Sequence, residues 1–405
     1  MTAPIPENTI TGNQKLIDRL KRFARFEDLR RSEFYREQGA ELRRLLDEPR
    51  VYEFPDARPR LRTFLRVVEW NIERGARLDG IIEALNEHPV LRFADLLLLN
   101  ELDDGMIRSR NLNVALELGR ALAAHSVFGA EYLELTKGAG DEARLAGENT
   151  RALHGNAILT RHQFSNVQVL RLPRCENNFE SKERRIGGRI GILLDLEIND
   201  TKLLVGNTHL DVVNSPRCRG NQMRAMLQAV EERLISSSIR KAIVGGDLNT
   251  HTFARGTRFR SIMNTALILT SKRENLKNRL SHPESREHAI REFAKFGFAI
   301  EGFNDRQATS RTIVSNLDDS ARLPRPMKWW VSRRIPSHGL TLEFRLDWLA
   351  GRGLQALKAR ELVDERTGAA SVDAQTLSNL RHNGSPLSDH DPVVFDVAIT
   401  RDSLT

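Results

Sequence analysis

Two polar residues, Asp247 and Asn249, follow a short apolar stretch in the segment 241–249, KAIVGGDLN. The apolar run 242–244 predicts a short buried strand, and the two glycines after it allow the backbone to turn sharply at its end. Residues two apart in an extended segment point to the same side, so this carboxylate and this amide face the same space. Such a pair at a strand end suits a divalent cation and a phosphate. An Asx-turn explains the same residues without chemistry, and this segment alone does not decide between the two.

Other predicted strands also end in an acid, an amide or a histidine. Together with Asp247 and Asn249, the candidate site comprises Asn71, Glu101, His209, Asp347, Asp389 and His390. So many polar strand ends imply one shared rim. Carboxylates without cysteine at such a rim favour Mg²⁺ or Mn²⁺ over zinc, and imidazoles that titrate near neutral pH can move protons. For a single buried histidine, a hydrogen-bonded place in the core is the commoner explanation.

The elements that position these residues alternate along the chain. LRVVEWNI (65–72) predicts a strand, a helix follows over 78–87, and the apolar run ADLLLLNELD (94–103) predicts a strand buried on both faces. Further strands and helices, with hairpins among them, continue to a last strand in LSDHDPVVFDVAI. This order predicts a layered α/β domain with mixed sheets.

The first part of the chain differs from the rest. Residues 13–47 are helical in character, with apolar residues spaced along one face and basic residues interleaved with acids. Pro55 and Pro59 mark a connector after this segment. We therefore divide the chain into an N-terminal helical extension, residues 1–60, and a main domain, residues 61–405.

The composition is that of an ordinary globular protein, with 40% hydrophobic and 29% charged residues among 405. A net charge of +8 favours anionic partners such as nucleic acid, phosphorylated metabolites or an acidic membrane surface, without choosing among them. Two cysteines, Cys175 and Cys218, are too few for a disulfide framework or a thiolate metal site. Because the N-terminus lacks a secretion signal and no apolar run is long enough to span a membrane, we expect a cytoplasmic protein.

Seven short motifs occur in order along the chain: EWNI, NELD, GNAIL, NTHLD, GDLN, RLDW and SDHDP. Each motif is weak alone, but the ordered series resembles that of the endonuclease/exonuclease/phosphatase superfamily, which has the deoxyribonuclease-I-like fold. The resemblance covers about residues 65–399, and no core motif is missing, which argues against an inactive relative. It implies an α/β four-layer sandwich, two mixed β-sheets packed face to face with helices on the outside. It also implies cleavage of phosphate esters by metal-assisted attack of water.

The resemblance implies a metal site formed by acids and an amide. Glu101 and Asp389 look like the ligands of Mg²⁺ or Mn²⁺, and Asn71 matches a position that orients the metal or the phosphate. Glu73 falls where some members of the superfamily carry a further acid, so it is a weaker candidate.

The remaining motif residues match catalytic positions. His209 matches a histidine that contacts the phosphate or protonates a leaving group. Asp247 and Asn249 match the pair that positions the attacking water and the scissile phosphate. His390 looks like the histidine paired with a carboxylate, here Asp347, and we expect it to stabilise the pentacovalent phosphorus centre or to move a proton.

Residues outside the motifs bear on the substrate. Arg219 and Gln222, on the helix after His209, resemble residues that support the site from outside, and we include them among the substrate-binding candidates. Arginines and two tryptophans gather in residues 322–334. We expect Arg325 and Trp329 to bind substrate, since arginines meet phosphates and tryptophans stack on bases. A lipid-headgroup surface or a solvated loop explains the same segment.

Three substrate classes share the implied core: nucleic acids, phospholipids or sphingolipids, and inositol phosphates or other small phosphate esters. The basic charge favours a nuclease-like phosphodiesterase, acting as an endonuclease or an exonuclease, with a lipid diesterase or an inositol-phosphate phosphatase as the alternative. A non-catalytic module that binds anions on the same fold is the alternative from another class.

Overall fold

The computed structural model describes residues 10–175, 177–181, 183–199, 201–252, 258–313, 326, 329 and 341–398. The helices of this part are α1 (Ile10–Lys21), α2 (Phe26–Arg31), α3 (Glu33–Asp47), α4 (Leu78–Glu87), α5 (Val114–Leu122), α6 (Pro216–Ser237), α7 (Arg258–Thr270), α8 (Arg273–Ser281) and α9 (His288–Lys295). The strands are β1 (Arg50–Tyr52), β2 (Phe64–Arg74), β3 (Leu96–Asp104), β4 (His125–Glu134), β5 (Leu153–Thr160), β6 (Gln163–Arg171), β7 (Arg185–Gly187), β8 (Ile190–Ile198), β9 (Thr201–Thr208), β10 (Lys241–Asp247), β11 (Ser310–Ile313), β12 (Thr341–Phe344), β13 (Asp347–Arg352), β14 (Gln375–Thr376), β15 (Arg381–His382), β16 (Ser385–Pro386) and β17 (Val393–Ala398).

Two large mixed sheets pack face to face. The first has the strand order β1-β4-β5-β3-β2-β17-β14, with β7 beside β4, and the second has the order β13-β10-β9-β8-β6. In the first sheet β2 and β3 run parallel, in the second β9 and β10 do, and the other neighbours along the two strand orders are antiparallel. The predicted pair of mixed sheets is therefore confirmed.

Side chains alternate along the central strands, and each face joins a different apolar cluster. In β2, Leu65 and Val67 point between the sheets, where they meet Ile192 and Ile243 of the second sheet. Trp70, from the other face of β2, packs with the helical layer of α1, α3, α4 and α5. On the outer face of the second sheet, residues of α6 and α9 complete a third cluster. Helix, sheet, sheet and helix thus form the predicted four-layer sandwich.

The N-terminal helices share the core of the main domain. Leu20 of α1 and Leu42 of α3 are buried in the same cluster as Trp70 and Leu99. Strand β1, which lies within the predicted extension, pairs with β4 of the first sheet. The division of the chain at residue 60 stays a prediction, and the structure adds that the two parts are packed together.

Cys175 and Cys218 are joined by a disulfide, with a Cα–Cα distance of 6.2 Å. The bond ties the segment after β6 to the first turn of α6. Two cysteines cannot form a framework, but their low number does not exclude a single bond, and their pairing was not anticipated from the sequence. The expectation of a cytoplasmic protein, which rested partly on cysteine usage, stays a prediction. Within the described residues, no helix combines the length and the apolarity that crossing a membrane requires.

The shared core makes a prediction for Leu20. Leu20→Ala should lower the free energy of unfolding of the whole chain by about 2–5 kcal/mol, because the cavity left by the side chain lies in the main cluster. Urea denaturation, followed by tryptophan fluorescence and by circular dichroism, should show one coincident transition. Ile235→Ala, at a position 71% exposed on α6, is the control and should change stability by less than about 0.5 kcal/mol. Two separate transitions would contradict a shared core.

His162, in the turn between β5 and β6, predicts a loss of stability in mild acid. Burial, with Arg161 beside it, lowers the pKa of this imidazole to about 4 from 6.5. Below about pH 6.5 the unfolded chain therefore binds a proton that the native chain does not accept until about pH 4, so stability falls as the pH drops through this window, by at most about 1.4 kcal/mol per pH unit.

His162→Gln removes this contribution. The loss of unfolding free energy between pH 7 and pH 5, measured by urea denaturation, should be about 2 kcal/mol smaller in this variant than in the unsubstituted protein. His282→Gln, the same substitution at an exposed position, is the matched control. An equal pH dependence in all three proteins would refute the assignment.

Candidate active site

Residues from both sheets line one cavity of about 940 Å³. The candidate residues in its wall are Glu101, His209, Asp247, Asn249, Asp389 and His390, with Glu73 beside them. The other two candidates lie directly behind the wall, where Asn71 Nδ2 donates to Asp247 Oδ2 (3.0 Å) and Asp347 accepts from His390. The eight residues chosen at predicted strand ends are therefore brought together in the folded chain.

The topology explains why residues so distant in sequence meet. Asn71 and Glu101 lie near the carboxyl ends of the parallel strands β2 and β3, which reach the same edge of the first sheet. His209 and Asp247 come at the ends of the parallel strands β9 and β10 of the second sheet. Asp347 begins the antiparallel strand β13 and lies opposite Asp247 in register. Because the sheets pack face to face, these edges form a single rim.

The backbone departs from regular strand geometry at this rim. The pairing of β2 with β3 shifts register between Asn71 and Arg74 of β2. On β3, Glu101 has a φ of +56°. Asn249 has a φ of +50°. Bulges and left-handed residues at a strand end re-aim the side chains that follow, and they cluster at functional sites because the surrounding structure must hold them.

The Asp247 carboxylate lies at the centre of the site. It accepts from the backbone N–H of Asn249 at 2.9 Å and from Asn71, and His209 Nε2 and His390 Nε2 lie 3.4 and 3.9 Å from Oδ2. Burial and the nearby Asp347 carboxylate raise the pKa of Asp247 to about 7, while His390 and the hydrogen bonds oppose this rise. A carboxyl group with this pKa exchanges a proton readily near neutral pH.

The two histidines have opposite charge preferences. His390 Nδ1 donates to Asp347 Oδ2 at 2.8 Å. Burial alone would lower the pKa of His390, but the carboxylates of Asp347, Asp247 and Asp389 outweigh it and raise the pKa well above its ordinary value. Burial and the Arg189 guanidinium lower the pKa of His209 well below its ordinary value. The site therefore holds one imidazolium and one neutral imidazole.

The acids on the cavity wall fit a hard divalent cation. Burial opposes ionisation of Glu101, but positively charged neighbours, among them the Arg74 guanidinium, hold the pKa of its carboxyl well below the usual range. Burial, with Asp389 and Glu101 nearby, raises the pKa of Glu73. Acidic oxygen donors in one wall are ligands that a cation such as Mg²⁺ prefers.

A second group of donors lies close by. Ligand atoms of Asp247, Asp347 and His390 lie within 4.8 Å of one another and are buried. His390 already gives its Nδ1 proton to Asp347, and Asp247 already accepts two hydrogen bonds. This group is therefore better suited to moving protons than to holding the cation.

Two asparagines that were not singled out from the sequence hold Asp247 in place. The backbone N–H of Asp247 donates to Asn100 Oδ1 at 2.8 Å, and Asn100 Nδ2 donates to Asn207 Oδ1 at 3.2 Å. Asn207 in turn donates to the carbonyls of Leu99 and Ala157, each at 2.9 Å. This chain of amides joins the two sheets beneath the cavity. A polar residue inside an otherwise apolar buried strand was the available signal.

Arg219 and Gln222 are placed behind the site. The fully buried Arg219 pairs with Glu287 through two hydrogen bonds of 2.6 and 3.1 Å, and Gln222 binds the backbone of Pro173 and Asp211. Neither residue lines the cavity. They hold the turn after His209, which agrees with a supporting position and corrects the expectation of direct substrate binding, because neither side chain is accessible.

The other two substrate-binding candidates are not part of the described cavity wall. Arg325 lies outside the described residues. Trp329 is described and is 58% exposed, and it is not among the residues that line the cavity.

Comparisons with known proteins give matches in sequence and in structure. The sequence pattern of the Endonuclease/Exonuclease/phosphatase family matches residues 68–390. No curated protein matches the chain. Among solved structures, an endonuclease/exonuclease/phosphatase from Beutenbergia cavernae is 18% identical, with 85% of this chain and 76% of that chain covered and a TM-score of 0.45.

Two further solved structures are similar at comparable levels. The human Nocturnin catalytic domain is 15% identical, with 87% of this chain and 97% of that chain covered and a TM-score of 0.45. Truncated Caenorhabditis elegans TDP2 is 14% identical, with 83% and 98% covered and a TM-score of 0.42. Because the family pattern spans most of the chain and both sheets of the fold, this protein belongs to the endonuclease/exonuclease/phosphatase family.

Proposed function

We propose that this protein is a metal-dependent phosphodiesterase of the nuclease type. One observation carries the proposal: a single cavity brings ionised oxygen donors, a carboxyl group that titrates near neutral pH and a carboxylate-bound imidazolium together. Each of these groups can assist hydrolysis of a phosphate ester, because water is a weak nucleophile and the leaving oxygen carries negative charge. Family membership supports the same class of reaction.

Glu101 and Asp389 would hold Mg²⁺ or Mn²⁺, with Asn71 and Glu73 close to that position. When bound, such a cation neutralises charge on the phosphoryl and leaving oxygens and is worth several kcal/mol in phosphoryl transfer. Arg74, which also lines the cavity, adds a fixed positive charge beside Glu101.

Asp247 would accept a proton from the attacking water. Its position is set by Asn71, by Asn100 and by the backbone of Asn249, so the carboxylate cannot turn away from the cavity. With a pKa near 7, the group is available as a base at neutral pH and releases the proton again. Asn249, whose Nδ2 donates to the Leu210 carbonyl at 3.0 Å, would place its second amide proton toward the phosphate.

His390 would stabilise the charge on the phosphorus centre through Nε2–H. Asp347 accepts from Nδ1, which fixes the ring orientation and keeps the imidazole positively charged. His209, neutral and 3.4 Å from Asp247, would hydrogen-bond to the phosphate or to the leaving oxygen. We expect nucleic acid rather than an anionic lipid as the substrate, because few apolar residues line the cavity.

The role of the His390–Asp347 pair can be tested by substitution. His390→Ala should lower kcat on bis(p-nitrophenyl) phosphate by about 10²- to 10⁴-fold in the presence of Mg²⁺, because a charged donor is lost from the reacting centre. Asp347→Asn should lower kcat as well, since the imidazole loses the carboxylate that keeps it charged. His282→Ala is the control for an exposed histidine. Undiminished hydrolysis by His390→Ala would remove the assignment.

The role of Glu101 as a metal ligand can be tested by its effect on the Mg²⁺ requirement. Glu101→Gln should raise the Mg²⁺ concentration that gives half-maximal activity by about 10-fold or more, since one anionic ligand becomes neutral. Calorimetric titration of the protein with Mg²⁺ should show the same loss without any turnover. Glu197→Gln, an exposed position on β8, is the matched control. An unchanged Mg²⁺ requirement would place the cation elsewhere, and activity that survives EDTA would refute a metal-dependent reaction.

A further inference from the structure

One of the five arginines in the cavity wall differs from the others. Four are each within ion-pair distance of a carboxylate: Arg74 with Glu142 and Arg77 with Glu73, both at 2.6 Å, and Arg189 with Glu131 and Arg311 with Asp391, both at 2.8 Å. The guanidinium of Arg381 donates to the carbonyl of Gly384 at 2.6 Å and has no carboxylate partner within the described part of the chain. Its positive charge is the one that the described acids leave uncompensated at this wall.

Arg381 lies on a hairpin that is held firmly against the body of the protein. Strands β15 and β16 pair through Arg381 and Pro386, and His382 forms an ion-pair contact with Glu83 of α4 at 2.9 Å. A Cβ atom at Gly80 of α4 would lie 2.6 Å from His382 Cβ, so the glycine is needed for this close approach. The hairpin is followed by Ser388, which donates to the Asn71 carbonyl in the site. The position of Arg381 relative to the catalytic residues is therefore fixed from both sides.

We infer that Arg381 forms a second anion-binding subsite, which receives a phosphate next to the scissile one in a strand of nucleic acid. This inference rests on the proposed function and names the substrate class of the same site. An exposed, uncompensated guanidinium offers two parallel N–H donors, which match the geometry of a phosphate. The exposed Pro386 and the half-buried Leu380 flank it and offer apolar surface to a sugar or a base.

The chemistry of the wall favours a nucleic acid strand over a lipid. Apolar residues are few among those that line the cavity, namely Val212, Phe344, Leu346, Leu380 and Pro386. An acyl chain would need a continuous apolar surface, whereas a strand that carries one negative charge per nucleotide needs cationic groups at intervals. A volume of about 940 Å³ exceeds the needs of one phosphate group and leaves room for its neighbour.

Binding in the absence of metal tests this subsite directly. The anisotropy of a fluorescein-labelled single-stranded DNA oligonucleotide in EDTA should show a Kd about 5- to 10-fold weaker for Arg381→Ala than for the unsubstituted protein. The slope of log K against log salt should fall by about 0.7, the value for one lost phosphate contact to a single strand. Arg381→Lys should recover the salt slope, because the charge returns, but only part of the affinity, because an ammonium lacks the two parallel donors. Arg291→Ala, at an exposed arginine on α9, should leave the affinity unchanged.

Turnover separates this inference from the proposed function. Arg381→Ala should lower kcat/KM about tenfold on an oligonucleotide and leave it unchanged on bis(p-nitrophenyl) phosphate, which has one phosphate. Equal losses on both substrates, or an unchanged Kd and salt slope, would overturn the subsite while the proposed function stands. Failure of the unsubstituted protein to hydrolyse either substrate would overturn the proposed function. If Arg381→Ala weakened binding to phosphatidylserine vesicles and left oligonucleotide binding unchanged, the choice of nucleic acid would be overturned.

Discussion

The burial of the Asp247 carboxylate between two sheets is the constraint on which the site depends. A carboxylate without water is stable only if donors surround it, and here Asn71 of the first sheet and the backbone N–H of Asn249 donate to it. The backbone N–H of Asp247 itself donates to Asn100 of the first sheet. Asn207 extends this network to two backbone carbonyls of the first sheet. The edges of the two sheets therefore cannot shift relative to each other without leaving buried polar groups unpaired.

The same crowding of charge sets the protonation of the site. The carboxylates of Asp347, Asp247 and Asp389 make His390 an imidazolium. Burial and the Arg189 guanidinium keep His209 neutral. Two residues of one type, both in one cavity, thus have different chemical roles because their neighbours differ. Arg189 itself is held by Glu131, which receives an additional hydrogen bond from Asn156 at 3.1 Å. The reacting groups depend on this second layer as much as on their own identities.

The cavity wall divides into a part built from strand ends and an outer part built from loops and a hairpin. The strand ends supply the acids and histidines of the proposed reaction, which are the same for every phosphate ester, so they carry no information on the substrate. Arg381 and its hairpin are outside the large sheets and are fastened to α4 by His382. The disulfide between Cys175 and Cys218 fastens a second peripheral segment, beside the helix that holds the turn after His209. On the proposed function, we expect substrate selection to reside in these peripheral elements, which the core positions but does not specify.

Much of the fold and of the site was predictable because both follow from local patterns. Apolar runs that end in Asn71, Glu101 or Asp247 marked buried strands with polar ends, and the ordered motifs indicated the four-layer sandwich. Contacts between segments distant in sequence could not be read in this way. Nothing in the sequence paired Cys175 with Cys218 or placed Arg219 against Glu287.

What the sequence determined by itself is the chemistry available: oxygen ligands, two histidines and amide donors at the ends of strands. What only the tertiary structure decided is how each group behaves, namely which imidazole is charged, where Asp247 titrates, and which arginine of the cavity wall has no carboxylate partner among the described residues. The physical reason is that pKa and charge compensation depend on burial and on neighbours from other elements, and only the packed chain establishes those distances.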